Sequence, residues 1–132
     1  MQTFLPYPSF TESAQCLDYR RLGKQRVEAR QILTALRNGG AWRNHPAVRM
    51  WAGYELSLAL YGDTVIQEWT LRGYVNNMEL ICPYVRKQDY PPWFGNEVFH
   101  ASHRSNLLRK DRSYYGRFGW SESDDLPYVW PV

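Results

Sequence analysis

Asp18-Tyr19-Arg20-Arg21-Leu22-Gly23-Lys24-Gln25-Arg26-Val27-Glu28-Ala29-Arg30-Gln31-Ile32-Leu33-Thr34-Ala35-Leu36 reads as an amphipathic helix. Its apolar residues recur at Leu22, Val27, Ile32, Leu33 and Leu36, and the spacing extends back through Leu17 and Ala14. Steps of this size suit a helical turn and not the alternation of a half-buried strand. Upstream, Ser9 or Thr11 caps the start, with Glu12 in the first turn, where a carboxylate meets the positive end of the helix dipole. Asn38-Gly39-Gly40 is a helix stop. Gly23 is the one irregularity and predicts a kink or a break. The opening Phe4-Leu5-Pro6-Tyr7-Pro8 predicts extended chain, because proline fixes its own φ and restricts the residue before it.

Further along, Pro46 at a first helical position predicts a second helix, with Ala47, Val48, Met50, Trp51, Tyr54, Leu58 and Tyr61 on its buried side. Gly62 is expected to stop it and Asp63 to cap a third helix, which carries Val65, Ile66, Trp69 and Leu71 and ends at Gly73. Between 74 and 95 the pattern is ambiguous: Met78 to Val85 fits a short helix or an extended piece, and Pro91-Pro92-Trp93 a loop. Asn96 caps a fourth helix running to about Asp111, with Val98, Phe99, Leu107 and Leu108 inward, and Ser113-Tyr114-Tyr115-Gly116 follows as a turn. The tail, Leu126-Pro127-Tyr128-Val129-Trp130-Pro131, is expected to be extended and to fold back over the core. No segment alternates cleanly over five or more residues. The expected fold is therefore all-α, one compact helical bundle over residues 1–132 with an extended C-terminal tail.

The totals agree. A chain of 132 residues fits one domain, and 44% hydrophobic with 16% aromatic residues exclude disorder. No apolar run is long enough to span a membrane, and the N-terminus lacks the basic and apolar regions of a signal peptide. Cys16 and Cys82 have no metal-like spacing and read as free thiols in a reducing cytoplasm. Net charge is only +3, but it is unevenly spread. Arg20, Arg21, Lys24, Arg26 and Arg30 form one basic block, and Arg104, Arg109, Lys110, Arg112 and Arg117 another. Packed together, the two blocks make a surface for a polyanion such as DNA; packed apart, they are solvated helix faces. The oligomeric state is left open.

Three clusters carry chemistry. On the first helix Arg20, Lys24 and Glu28 share a face, with Asp18 and Gln25 nearby. Cations around a lysine disfavour its charged form, and a neutral amine is what a nucleophile needs, so Lys24 is a candidate nucleophile and Glu28 a candidate base. The plainer alternative is an i,i+4 ion pair on a helix surface. Arg43, Asn44 and His45 stand before a helix start, where anions bind. His100, His103, Arg104, Asn106 and Lys110 are expected on the polar arc of the last long helix, facing phosphate. The H-x-x-H spacing of His100 and His103 has no third ligand at a telling distance, so neither metal nor cofactor is expected. Trp42, Trp93, Tyr114 and Tyr115 offer stacking faces for an extruded base.

Together, Arg20 to Glu28, Trp42-Arg43-Asn44-His45-Pro46 and His100 to Lys110 resemble the pyrimidine-dimer DNA glycosylase family, the relatives of phage endonuclease V, and within it a bacterial and phage branch. The resemblance to that branch runs over most of the chain. To the phage enzyme it is confined to the basic helix, the alanine-serine helix and Tyr114-Tyr115-Gly116. It implies an all-α domain without metal or cofactor that flips nucleotides out of damaged duplex DNA. It implies that the α-amine of the mature N-terminus attacks C1′, that a helix-borne glutamate supports the imine, and that β-elimination nicks the strand. Glu28 is the matching glutamate, and Arg20, Arg21 and Arg26 are the matching phosphate-binding arginines. One departure stands out: Gln2 follows Met1, and its bulk blocks removal of the initiator. The nucleophile is then Met1 itself, or Lys24, or a water activated by Glu28; the remaining possibility is a DNA- or nucleotide-binding protein without catalysis.

Overall fold

Asp18, not Gly23, divides the first helical stretch. In the computed structural model, which describes residues 1–80 and 90–132, helix α1 (Phe10–Cys16) is capped by Ser9, whose Oγ accepts the Glu12 N–H at 3.1 Å. Leu17 leaves helical geometry, and α2 (Tyr19–Asn38) restarts on Asp18. The Asp18 carboxylate accepts the Arg21 N–H at 3.4 Å and the Arg21 guanidinium at 3.1 Å. An aspartate that satisfies first-turn donors favours a new start over continuation. The kink expected at Gly23 is thus corrected: Gly23 lies inside α2. A Cβ there would sit 2.9 Å from Cζ3 of Trp69, so the glycine lets α2 and the helix bearing Trp69 approach closely.

The second expected helix is also divided differently. Pro46 does open a helix, α3 (Pro46–Arg49), capped by His45, whose Nδ1 accepts the Ala47 N–H at 3.0 Å. It ends within a turn, and the chain passes Gly53 at φ +83° before α4 (Glu55–Leu71) begins. Gly62 and Asp63, expected to stop one helix and cap the next, are buried in the middle of α4. Burial of Leu58, Ala59, Tyr61, Val65, Ile66 and Trp69 on this helix outweighs the roughly 1 kcal/mol that an interior glycine costs. Arg72, just past α4, donates to the Ala14 and Gln15 carbonyls at 3.3 and 2.9 Å and so satisfies the exposed end of α1.

Helix α5 (Glu97–Lys110) starts on Asn96 as expected, its side chain accepting the Phe99 N–H at 3.3 Å. The turn expected at 113–116 is instead the short helix α6 (Arg112–Tyr115), followed by a 3-10 turn (Gly116–Phe118). Asp111 caps α6 by accepting the Tyr114 N–H. The fold is all-α, with no strand among the described residues. α2 packs on α4, α4 also packs on α1, and Trp51, Tyr61, Phe99, Leu107 and Tyr115 fill the space between. The tail lies along α5: the Leu126 and Val129 N–H groups donate to Ser105 and Ser102 at 3.0 and 3.3 Å. No described helix is long and apolar enough to cross a membrane. The ambiguous stretch from Met78 to Val85 falls partly, and Cys82 wholly, outside the described residues.

Candidate active site

Residues 3–6 are buried without regular structure, so their backbone groups must find side-chain partners. Helices α2, α4 and α5 supply them. Gln25 of α2 donates to the Gln2 carbonyl at 2.7 Å and accepts the Phe4 N–H at 3.1 Å. The single hydroxyl proton of Tyr61 on α4 is shared between two acceptors, the Phe4 carbonyl at 3.1 Å and the Gln25 amide oxygen. On α5, His103 Nδ1 accepts the Leu5 N–H at 2.9 Å, His100 Nδ1 donates to the Leu5 carbonyl at 2.7 Å, and Arg104 donates to the Pro6 carbonyl at 2.8 Å. Tyr128 of the tail donates to the Thr3 carbonyl at 3.2 Å. The N-terminal segment is therefore threaded through the bundle and held from four sides.

The polar residues of α5 are consequently not where the sequence pattern suggested. His100, His103 and Arg104, expected on an exposed arc facing phosphate, are buried and turned toward residues 5 and 6. An unsatisfied buried backbone costs more than burying the side chains that satisfy it. Complete burial, with the charges of His100 and Arg104 adding, holds His103 well below its ordinary pKa. Burial, aided by Arg104 and opposed by the Leu5 hydrogen bond and Glu97, lowers that of His100. Burial disfavours the Arg104 charge, but ion pairs with Glu122 and Glu97 outweigh it and raise its pKa. Asn106 is half-buried.

Where the N-terminal segment emerges, it opens into a cleft of about 590 Å³ lined by Met1, Gln2, Arg20, Arg21, Lys24, Gln25, Glu28, Lys110 and their neighbours. The cleft brings together Met1 and two positions of the basic helix, Lys24 and Glu28, the three expected catalytic residues. Glu28 is 8% exposed. Its Oε2 accepts the Gln2 N–H at 3.3 Å and the Gln25 amide at 3.1 Å, and its Oε1 faces Lys24 Nζ at 3.6 Å. Asp18 and Asp111 also line the cleft, but each caps a helix. Burial disfavours the Asp18 charge, yet hydrogen bonds from Tyr115 and Arg21 and the Arg21 charge together hold its carboxyl below the usual range. That leaves Glu28 as the cleft carboxylate without a capping task.

Other expected contact residues lie elsewhere. Arg26 turns away from the cleft, over the Trp69 ring at 4.2 Å and onto Asn76 at 2.7 Å. Arg43 and Asn44 are exposed on the α2–α3 loop, while His45 caps α3 with its ring edge-on between Trp42 and Trp130. Sequence reasoning missed Tyr61 and Tyr128 as holders of the N-terminal segment. Each reads as a core aromatic, and only the three-dimensional fold brings it to partners 57 and 125 residues away. No group of three or more His, Cys, Asp or Glu arranged to hold a metal occurs among the described residues.

The sequence profile of the pyrimidine dimer DNA glycosylases matches residues 1–82. The chain belongs to the pyrimidine dimer DNA glycosylase family. The matched part contains the N-terminal segment and all of α1 to α4, hence Met1, Lys24, Gln25 and Glu28; Lys110 and the α5 histidines lie beyond it. No curated protein and no solved structure matches the chain significantly.

Proposed function

We propose that this glycosylase-family chain removes a damaged or modified pyrimidine from duplex DNA and then cleaves the strand as an abasic-site lyase, using its N-terminal amine and Glu28. The observation that carries this is the Gln2 nitrogen 3.3 Å from the Glu28 carboxylate, at the floor of a basic cleft. The Met1 amine lies one residue outward along the chain from that point, and Met1 lines the same cleft.

In the proposed reaction the neutral amine attacks C1′ of the damaged nucleotide. The new N–C1′ bond forms as the glycosidic bond breaks, and the base leaves with the bonding electrons and takes a proton from solvent water. Glu28 accepts the proton released by the amine and passes it to O4′ as the sugar ring opens; ionised again, it balances the cationic imine that results. Loss of a C2′ proton expels the 3′ phosphate, and water then hydrolyses the imine to free the amine. Arg20, Arg21 and Lys110 at the cleft bind the flanking phosphates, and Arg43 and Asn44 supply a second contact from the α2–α3 loop. Lys24, paired with Glu28 at 3.6 Å, is the runner-up amine. Its side chain is 76% exposed, which suits a phosphate contact better.

The test is incubation of the purified chain with duplex DNA carrying one UV-induced pyrimidine dimer. Strand cleavage at the dimer supports the proposal. An alkali-labile abasic site at the dimer without strand cleavage reduces it to a water-using glycosylase. Salt-sensitive binding with no product contradicts it and leaves a DNA-binding protein.

A further inference from the structure

We propose that His103 is a positioning residue that sets the register of the N-terminal segment against Glu28. This rests on the proposed action of an N-terminal amine at Glu28, and it concerns how that amine is held in place.

The His103 ring is fully buried, clamped between Phe99 and Tyr128 with ring centroids 4.3 and 4.6 Å away. Because Nδ1 accepts the Leu5 N–H, the ring proton sits on Nε2, and Nε2 finds no partner among the described residues. A phenylalanine would fill the same space without stranding a donor. The histidine is explained by the one bond that Nδ1 makes.

That bond reads position. Leu5 is gripped on both sides by one helix, its N–H by His103 and its carbonyl by His100, one helical turn apart. His100 is itself fixed, since its Nε2 accepts the Gly95 N–H at 2.9 Å. The next residue, Pro6, has no N–H to offer, so a slip that brings residue 6 to His103 leaves Nδ1 without a donor. A slip of one residue moves the chain start by about 3.3 Å, enough to carry the Gln2 nitrogen out of reach of Glu28. The lock and the site are three residues apart on one buried segment, so an error at Leu5 is transmitted to the amine.

Three chains test this: wild type, His103→Phe, which removes the acceptor, and His103→Asn, which offers an oxygen in place of Nδ1. Amide hydrogen exchange is followed at Leu5 and in the middle of α4, together with single-turnover cleavage and affinity for dimer-containing duplex. In H103F, Leu5 protection and the cleavage rate are each expected to drop about tenfold, with α4 protection and DNA affinity unchanged. H103N is expected to recover both. Unchanged Leu5 protection in H103F, or loss shared equally by α4, overturns the proposal, as does an H103N chain no better than H103F. If H103F does not fold, Leu5 protection in H103N decides alone: retained, it supports the lock, and lost, it overturns it. A wild-type chain that cleaves nothing contradicts the proposed function, and the exchange data then decide the register separately.

Discussion

Replacing Glu28 by glutamine keeps the shape of the side chain and removes its charge. Three groups converge on the carboxylate: the Gln25 amide at 3.1 Å, the Gln2 N–H at 3.3 Å and Lys24 at 3.6 Å. The Lys24 pair costs little to lose, because that lysine is largely in solvent and such pairs are worth about 0–1 kcal/mol. The other two donors both meet Oε2, so an amide turned with its oxygen toward them keeps both bonds. Stability is expected to fall by about 1 kcal/mol or less. Catalysis is expected to respond far more. A glutamine neither accepts a proton nor balances a cationic imine, and losing a general base costs about 10²–10⁴ in rate, or roughly 3–5 kcal/mol of barrier. Single-turnover cleavage of dimer-containing duplex measures the rate, and titration of the same DNA gives the affinity, expected to be unchanged or slightly tighter once a negative charge leaves the cleft. A Glu28→Gln rate within about threefold of wild type refutes the role. So does a parallel loss of binding, which would make Glu28 a structural or DNA-contacting group.

Three further outcomes follow from the packing and the buried titrating groups. Gly23→Ala is expected to destabilise by about 1–3 kcal/mol in urea unfolding despite alanine's better helix propensity, since its Cβ would meet the buried Trp69 ring at 2.9 Å; a stabilised variant would refute the close α2–α4 approach. His100 and His103 have pKa values depressed below 6.5, so the unfolded chain binds protons that the folded chain refuses. Their stability contribution is complete above pH 6.5 and declines as pH falls below it toward the folded-state values, by about 1.4 kcal/mol per pH unit for each excluded proton. Denaturant titrations across that range should show the slope and its reduction in His103→Phe; a flat profile contradicts the neutral, buried histidines. Burial pushes the Cys16 thiol up to about 12, so alkylation of Cys16 should require unfolding, and rapid labelling of the native protein would contradict its burial.

How much was legible in the sequence depended on how local the signal was. The all-α fold followed from periodicity in Leu22, Ile32 and Leu33, and the caps at Ser9 and Asn96 and the helix start at Pro46 were readable because such signals and their partners lie within one turn. Gly23 and Gly62 misled, because propensity alone made them breaks while tertiary packing keeps both inside helices. At the site, Glu28 and Lys24 stood out as opposite charges one turn apart, and the cleft does bring them together. The α5 residues were misplaced for a definite reason. His100, His103 and Arg104 look solvent-facing by hydropathy, yet their partners are backbone groups 95–98 residues away, and no pattern in one helix reports such a demand.

The central claim is that an N-terminal amine at Glu28 does the chemistry, and borohydride trapping on DNA with an abasic site or a UV-induced dimer tests it most directly. The expected result is a covalent protein–DNA adduct whose mapped peptide carries the DNA at Met1, and whose yield collapses in Glu28→Gln. An adduct mapped to Lys24 would move the nucleophile onto α2. No adduct, despite tight binding of the same DNA, would contradict the amine mechanism altogether.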